Sequence, residues 1–333
     1  MMDWELGLWV MMRNKPSKQG EARPFVKWAG GKSQILAAIR AKYPKTLGTH
    51  VKKYAEPFVG GGAVLFDILN TYSLEEYYIS DINRELIHTY KAIRDDVEKI
   101  IEELSVLAKE YLTVTPKAQK EMYYAKRKRF NDLKLTQDNS MELAILFIFL
   151  NRTCFNGLYR VNASGGYNVP QGSYRNPCIC DESNLRAVSS KLKNVLMVHG
   201  DYKKARNFID ERTFAYFDPP YRPLSTTASF TSYTQDGFND ERQKELAFFI
   251  DEMSERGACI VASNSDPTNT NGADTFLEDL YTKHDISVVS ASRAINSLGH
   301  GRGQIRELLI ANKQLNIGVY NGKRRSDTQT QRA

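Results

Sequence analysis

The chain has 333 residues, 41 % of them hydrophobic, and a formal net charge of +7. That is enough for one large domain or two smaller ones, it excludes a wholly disordered chain, and the charge suits a polyanionic partner without requiring one. The four cysteines, Cys154, Cys178, Cys180 and Cys259, form no CxxC pair, which argues against a zinc knuckle and fits a reducing, cytoplasmic setting.

Residues 1–23 read as an arm. Their opening, MMDWELGLWVMMRNK, carries acidic residues early and has no long apolar core, so no signal peptide is expected. RPFVKWAGGKSQILAAIRAKYP follows as a loop feeding an amphipathic helix from about Ser33. KKYAEPF is a short strand with the glycines Gly60–Gly62 at its carboxyl end. Val64, Leu65, Ile68 and Leu69 then recur at helical spacing. EYYIS is the next strand and ends at Asp81.

The texture changes over 83–194. Long helical patterns run through RELIHTYKAIRDDVEKIIEELSVLAKEY and MELAILFIFLNRTCF, the second too short in its apolar part to span a membrane. Between them, KAQKEMYYAKRKRFNDLK is dense in Lys and Arg; such a run is usually a solvated helix face, and phosphate contact is the rarer use. YRVNASGGYNVP reads as a hairpin around a Ser-Gly-Gly turn. The segment is expected to be an inserted domain. Short β-type runs then return in VLMVHG, TFAYF, ACIVAS, ISVVSA and RELLIAN, with DERQKELAFFIDEMSERG as a helix between two of them. This is an α/β pattern with strands buried on both faces. Residues 313–333 read as a disordered basic tail.

Two phosphate-binding readings of the glycines can be tested by counting. A Walker loop needs a glycine five positions before the Gly of Gly-Lys-Ser, and that position is Val26. A dinucleotide fingerprint, G-x-G-x-x-G, finds Gly60 and Gly62 but meets Leu65 at its third glycine. Asp81, about 20 residues on, still suits a ribose, so a nucleoside site survives while a pyrophosphate cradle does not. DPPY at Asp218–Tyr221 follows an apolar strand directly. Two prolines there fix the backbone and donate no N–H, so an acid, outward carbonyls and an aromatic ring would surround a planar amine. A plain Pro-Pro turn with an unrelated acid fits the same four residues.

PFVKWAGGK, EPFVGGGA, SDIN, FNGLYRVN with YNVPQGSYRNP, HGDY and DPPY occur in one order along roughly residues 24–312. In that order they resemble the Dam-type family of DNA adenine-N6 methyltransferases. The resemblance implies a Rossmann-like core that uses S-adenosylmethionine (SAM), formed by 24–82 and 195–312. It also implies a mainly helical target-recognition domain carrying a β-hairpin at 83–194. The implied partner is double-stranded DNA, with no metal and no membrane, for a monomeric enzyme.

By family position, Trp28, Lys32, Glu56, Phe58, Gly60, Gly62, Asp81, Asp201, Tyr202 and Asp218 would border the cofactor, Asp81 taking the ribose hydroxyls. Trp28 is equally readable as a core aromatic, and Asp201 as a helix N-cap. Asp218, Pro219, Pro220 and Tyr221 would form the catalytic turn. There Tyr221 stacks on an adenine flipped out of the duplex, and Asp218 and the Pro219 carbonyl accept from its amine. Methyl transfer would then be direct, without a covalent enzyme intermediate. Lys27, Phe155, Asn156, Leu158, Arg160 and Pro170 would meet DNA, with Phe155 as a wedge where some members carry tyrosine and Arg160 as a guanine contact. FNGLYRVN implies GATC as the target. Arg293, Ser297 and Arg302 are further phosphate candidates, and Arg222–Phe238 reads as a closing loop. Rivals are a methyltransferase of RNA or of protein amides with the same catalytic turn, and a DNA-binding protein that has lost catalysis. An oxidoreductase using NAD is discouraged by Leu65.

Overall fold

The computed structural model describes residues 20–222, 238–292 and 304–312. Most of the arm, the greater part of the expected closing loop, Arg293, Ser297, Arg302 and the tail lie outside the described residues.

Seven strands form one sheet: β1 Lys53–Glu56, β2 Glu76–Asp81, β3 Val195–His199, β4 Thr213–Phe217, β5 Cys259–Ser265, β6 Asp285–Ser292 and β7 Gln304–Ala311. Their order is β3-β2-β1-β4-β5-β7-β6. The first five pair in parallel with one another, while β7 runs antiparallel to both β5 and β6. The arrangement is that of a Rossmann-like methyltransferase fold.

Side-chain alternation explains why the centre of this sheet is buried on both faces. In β4, Phe214 and Tyr216 enter one hydrophobic cluster, and Ala215 and Phe217 enter the other. The second cluster lies under helix α8, Asp240–Glu255, whose Leu246, Phe249, Ile250 and Met253 recur at helical spacing. Helix α9, Phe276–Leu280, adds Leu277.

The first cluster is larger. It takes in α1, Leu36–Arg40, and α2, Ala63–Thr71, and then continues into the 113 residues that connect β2 to β3. Those residues supply α3 Arg84–Asp95, α4 Val97–Thr113, α5 Pro116–Leu135, α6 Met141–Thr153 and α7 Glu182–Leu192. Each begins with a polar cap: the side chains of Asn83, Asp96, Thr115, Ser140 and Asp181 accept from backbone N–H groups of the first turn. Helix α3 lies against β2 and β3 and α7 packs on α2, α3 and α4, whereas α6, apolar all round and buried along most of its length, is wrapped by α3, α4 and α5. Among the described residues no helix is long and apolar enough to cross a membrane.

Two local expectations shift. The helix expected from about Ser33 opens as a short 3-10 turn over Lys32–Gln34, and α1 proper has five residues. Pro44, four residues beyond its end, disfavours helical backbone at Tyr43. The last residues of the arm are tied to the domain. Ala22 is buried and exchanges two hydrogen bonds with the Asn70 amide, and Asn184 does the same for Arg23.

Candidate active site

Because β1 to β5 are parallel, their carboxyl ends share one edge of the sheet. Glu56 ends β1, Asp81 ends β2, Asp201 follows β3, and Asp218 follows β4. Chain order reverses between β1 and β4, and the crevice at such a reversal is where open α/β sheets bind ligands.

The glycine turn after β1 is shaped by close approach. Gly60 and Gly62 have φ of +46° and +72°, and a Cβ on either would come within 2.7 Å of the Trp28 ring or 2.5 Å of the Tyr90 hydroxyl. Tyr90 donates to the Gly60 carbonyl at 3.1 Å. The Gly60 N–H donates to Asp81 Oδ2 at 3.0 Å, and the Asn83 N–H to Oδ1 at 2.8 Å. The turn and the acid at the end of β2 are thus one hydrogen-bonded unit.

Burial pushes Asp81 up to about 6 despite hydrogen bonds that pull it down. Glu56, fully packed, accepts from the Tyr54 hydroxyl at 2.7 Å and from the Leu65 N–H. Burial, with the nearby charges of Asp218 and Asp81, raises it to about 8. The main influences on both groups are burial, hydrogen bonds and, for Glu56, other carboxylates. The crevice therefore holds two acids whose ionised forms want a cation.

Aromatic rings wall the crevice. Trp28 covers Gly60 and stacks on Tyr159, centroids 6.0 Å apart. Phe58 stacks on Tyr202 at 5.4 Å and meets Phe238 edge-on. The Tyr202 hydroxyl is buried with no hydrogen-bond partner among the described residues. Asp201 caps the following 3-10 turn, accepting from the Lys203 N–H at 2.9 Å.

At the DPPY turn the contacts are charged. Lys32, only 3 % exposed, sets its Nζ 2.7 Å from Asp218 Oδ1 and donates to the Gly30 carbonyl at 2.8 Å and the Tyr221 hydroxyl at 3.1 Å. Burial pulls the ammonium's pKa down, but Asp218, Tyr221 and Glu307 outweigh it and the net direction is up. Asp218 itself sits above the ordinary carboxylate range because burial outweighs Lys32. The Ser263 hydroxyl also donates to Oδ1, at 3.1 Å, and is itself paired with Tyr216 at 2.8 Å. Both contacts fall on one oxygen, while the side chain keeps 22 % exposure. The Pro220 carbonyl accepts from Gln243 on α8, which is held in turn by Asn264.

The segment before the hairpin presents a different surface. Phe155 is 46 % exposed, and its N–H donates to the Pro170 carbonyl at 2.9 Å. Asn156 is exposed with φ of +54°. Leu158 is half-buried against the core. Arg160 and Asn168 meet twice across the hairpin, through Nε to Oδ1 at 2.8 Å and through backbone N–H to carbonyl at 3.1 Å. A single bridge, Val161 to Tyr167, joins its two sides. Lys27 holds its Nζ 4.0 Å from the centre of the Tyr174 ring.

All the motif residues at strand ends therefore meet in one crevice, and the Trp28–Tyr159 stack links it to the Phe155–Pro170 surface. Motif reading missed Ser263, Gln243 and Glu307. Ser263 follows the apolar run in ACIVASNS, and a polar residue at the end of such a strand was the available signal. Glu307 lies in β7 and Gln243 in a charged helix, where nothing local marks them.

Comparison with known proteins agrees with this geometry. Residues 28–295 match the model of the D12 class of N6 adenine-specific DNA methyltransferases. The chain is 48 % identical over 294 residues to the type II methyltransferase M.MjaIII of Methanocaldococcus jannaschii, covering 88 % of this chain and 99 % of that protein. It is 35 % identical over 292 residues to the type II methyltransferase M1.LlaDCHI of Lactococcus lactis, covering 87 % and 95 %. Against the DNA adenine methylase of Escherichia coli K12 it is 34 % identical over 291 residues, again covering 87 % and 95 %. The chain belongs to the D12 class of N6 adenine-specific DNA methyltransferases: it is an enzyme whose substrate is DNA. Membership implies SAM as methyl donor, and the crevice fits that ligand. SAM is a cation, which suits a crevice edged by the acids Glu56 and Asp81, and it brings no pyrophosphate to a turn without a third glycine.

Proposed function

We propose that the enzyme methylates the adenine N6 of GATC in duplex DNA after flipping that base out of the helix, acting as a monomer. Residues 24–82 and 195–312 would serve as the catalytic domain and 83–194 as the target-recognition domain. The observation that carries the chemistry is the fixing of Asp218. Lys32 and Ser263 both bind Oδ1, so Oδ2 is left to accept from an incoming amine beside the Tyr221 ring. With Gln243 engaging the Pro220 carbonyl, the Pro219 carbonyl is the natural second acceptor.

The amine of adenine is a poor nucleophile because its lone pair is delocalised into the ring. Two fixed acceptors on its N–H groups favour the pyramidal form and stabilise the charge that grows as the methyl arrives. Lys32 keeps Asp218 oriented and opposes its protonation. SAM, when bound, supplies the activated methyl group for direct displacement. Glu56, Asp81, Phe58, Tyr202, Asp201, Trp28 and the Gly60–Gly62 turn would line its site.

Phe155, exposed and carried on a turn fixed to Pro170, is suited to wedge into the base stack. Arg160, oriented by Asn168, is suited to a guanine edge, with Lys27, Asn156, Leu158 and Pro170 around it. The test is incubation with labelled SAM and paired duplexes that contain GATC or a permuted site. Label confined to GATC, recovered as N6-methyladenine, supports the reading. Equal labelling of both duplexes, or label on cytosine, overturns it.

A further inference from the structure

The cofactor-side motif and the turn that carries Phe155 are joined by one buried side chain. Asn151, at the end of α6 and 4 % exposed, accepts from the Lys27 N–H through Oδ1 at 2.8 Å. Its Nδ2 donates to the Lys27 carbonyl at 2.8 Å and to the Gly157 carbonyl at 3.1 Å. Both donor hydrogens and the carbonyl of one amide are therefore committed, two bonds to the segment bearing Trp28 and one to the turn bearing Phe155 and Asn156.

That turn runs through left-handed backbone that Asn and Gly adopt most readily. Asn156 holds a left-handed φ of +54°, unusual outside glycine, and Gly157 follows at +64°. A Cβ on Gly157 would overlap the Lys27 side chain. Lys27 is thus pressed between Gly157 and Tyr174, and Asn151 fixes its backbone from below. Next along the chain, Trp28 packs over Gly60 of the cofactor turn.

We infer that Asn151 is a positioning residue that couples the two ligands: it ties the Lys27–Trp28 backbone beside the cofactor turn to the Phe155–Gly157 turn, so that a cofactor which fixes the one also fixes the other in the shape that engages DNA. This rests on the proposed roles of Trp28 and Phe155 above. Cofactor then tightens DNA binding, and by linkage DNA tightens cofactor binding by the same factor.

The test measures the affinity of a fluorescent GATC duplex by anisotropy, with and without saturating sinefungin, an unreactive analogue of the cofactor. In the wild type the analogue should tighten binding by about 10-fold. In Asn151→Ala the tightening should fall below roughly twofold, with the duplex alone and the analogue alone each bound within about threefold of wild type. Gly157→Ala, which pushes the turn off Lys27 while leaving α6 intact, should lose coupling likewise, and it carries the test if Asn151→Ala yields no cooperative melting curve. A wild type indifferent to sinefungin overturns the inference. So does a folded variant whose two binary affinities drop while the coupling factor stays. Failure of the functional reading itself appears earlier, as a wild type that binds GATC and permuted duplexes equally.

Discussion

The two halves of the site are built by opposite means. At the sheet edge the candidate groups are mostly buried and centre on charge, with partners brought from several elements: Lys32 from the first loop, Asp218 after β4, Ser263 from β5 and Glu307 from β7. On the Phe155–Pro170 surface the groups are exposed, and the turn is held by backbone hydrogen bonds and one buried amide. A reacting amine needs preorganised charge in a place where water cannot rearrange. A duplex needs protruding groups that can enter it, and these can change without disturbing the core. Damage to the two regions should therefore look different.

The largest effect is expected at Lys32. Lys32→Met leaves Asp218 and Glu307 without their buried cation, and removing one partner of such a pair costs about 3 kcal/mol or more. Thermal melting checks this. The variant should also shift the acidic limb of the rate profile to higher pH, because the carboxylate form of Asp218 loses the charge that opposes burial. A limb that stays in place would detach Lys32 from Asp218.

Arg160→Ala should cost about 1–3 kcal/mol of discrimination at one base pair, read as the ratio of kcat/KM on cognate and single-mismatch duplexes. An equal loss on every sequence would make Arg160 a phosphate contact instead. Phe155→Ala should change stability by less than about 0.5 kcal/mol, since the ring is exposed. It should still weaken base opening in a 2-aminopurine fluorescence assay.

The smallest effect is a pH dependence. Glu56 and Asp81 have folded pKa values raised to about 8 and about 6 by burial. For a carboxyl raised on folding, the unfolded chain ionises first, so stability falls as pH rises from the ordinary carboxylate range to these values. Melting temperature of the free enzyme should decline over that window, and Glu56→Gln should flatten its upper part. Over the same window SAM, a cation, should bind more tightly as both acids ionise. An affinity indifferent to pH would remove them from its site.

The placement of the candidate residues at one edge was largely legible because they sit in short runs at strand ends. Glu56, Asp81, Asp201 and Asp218 each close or follow an apolar run, and parallel pairing brings such ends together. Leu65, which broke the dinucleotide pattern, is buried in α2, and its N–H binds Glu56. The placement of β7 between β5 and β6 was not legible. ISVVSA and RELLIAN are both short β-type runs, and pairing order between distant segments is not written in either. Glu307 was hidden for that reason, since it reaches the site only through the antiparallel return of its strand. Asn151 was hidden differently: an Asn at the end of an apolar helix reads as a terminus, and two of its three bonds go to Lys27, far away in the chain.

In the proposed reaction Asp218 is the acceptor for the reacting amine. Its most direct test is the single-turnover rate of methylation of a GATC duplex by Asp218→Asn, with SAM and DNA both saturating. The substitution preserves shape but turns part of an acceptor into a donor. The rate should fall by about 100-fold or more, with the dissociation constants for SAM and for the duplex each within about threefold of wild type. A rate within about threefold of wild type would contradict it.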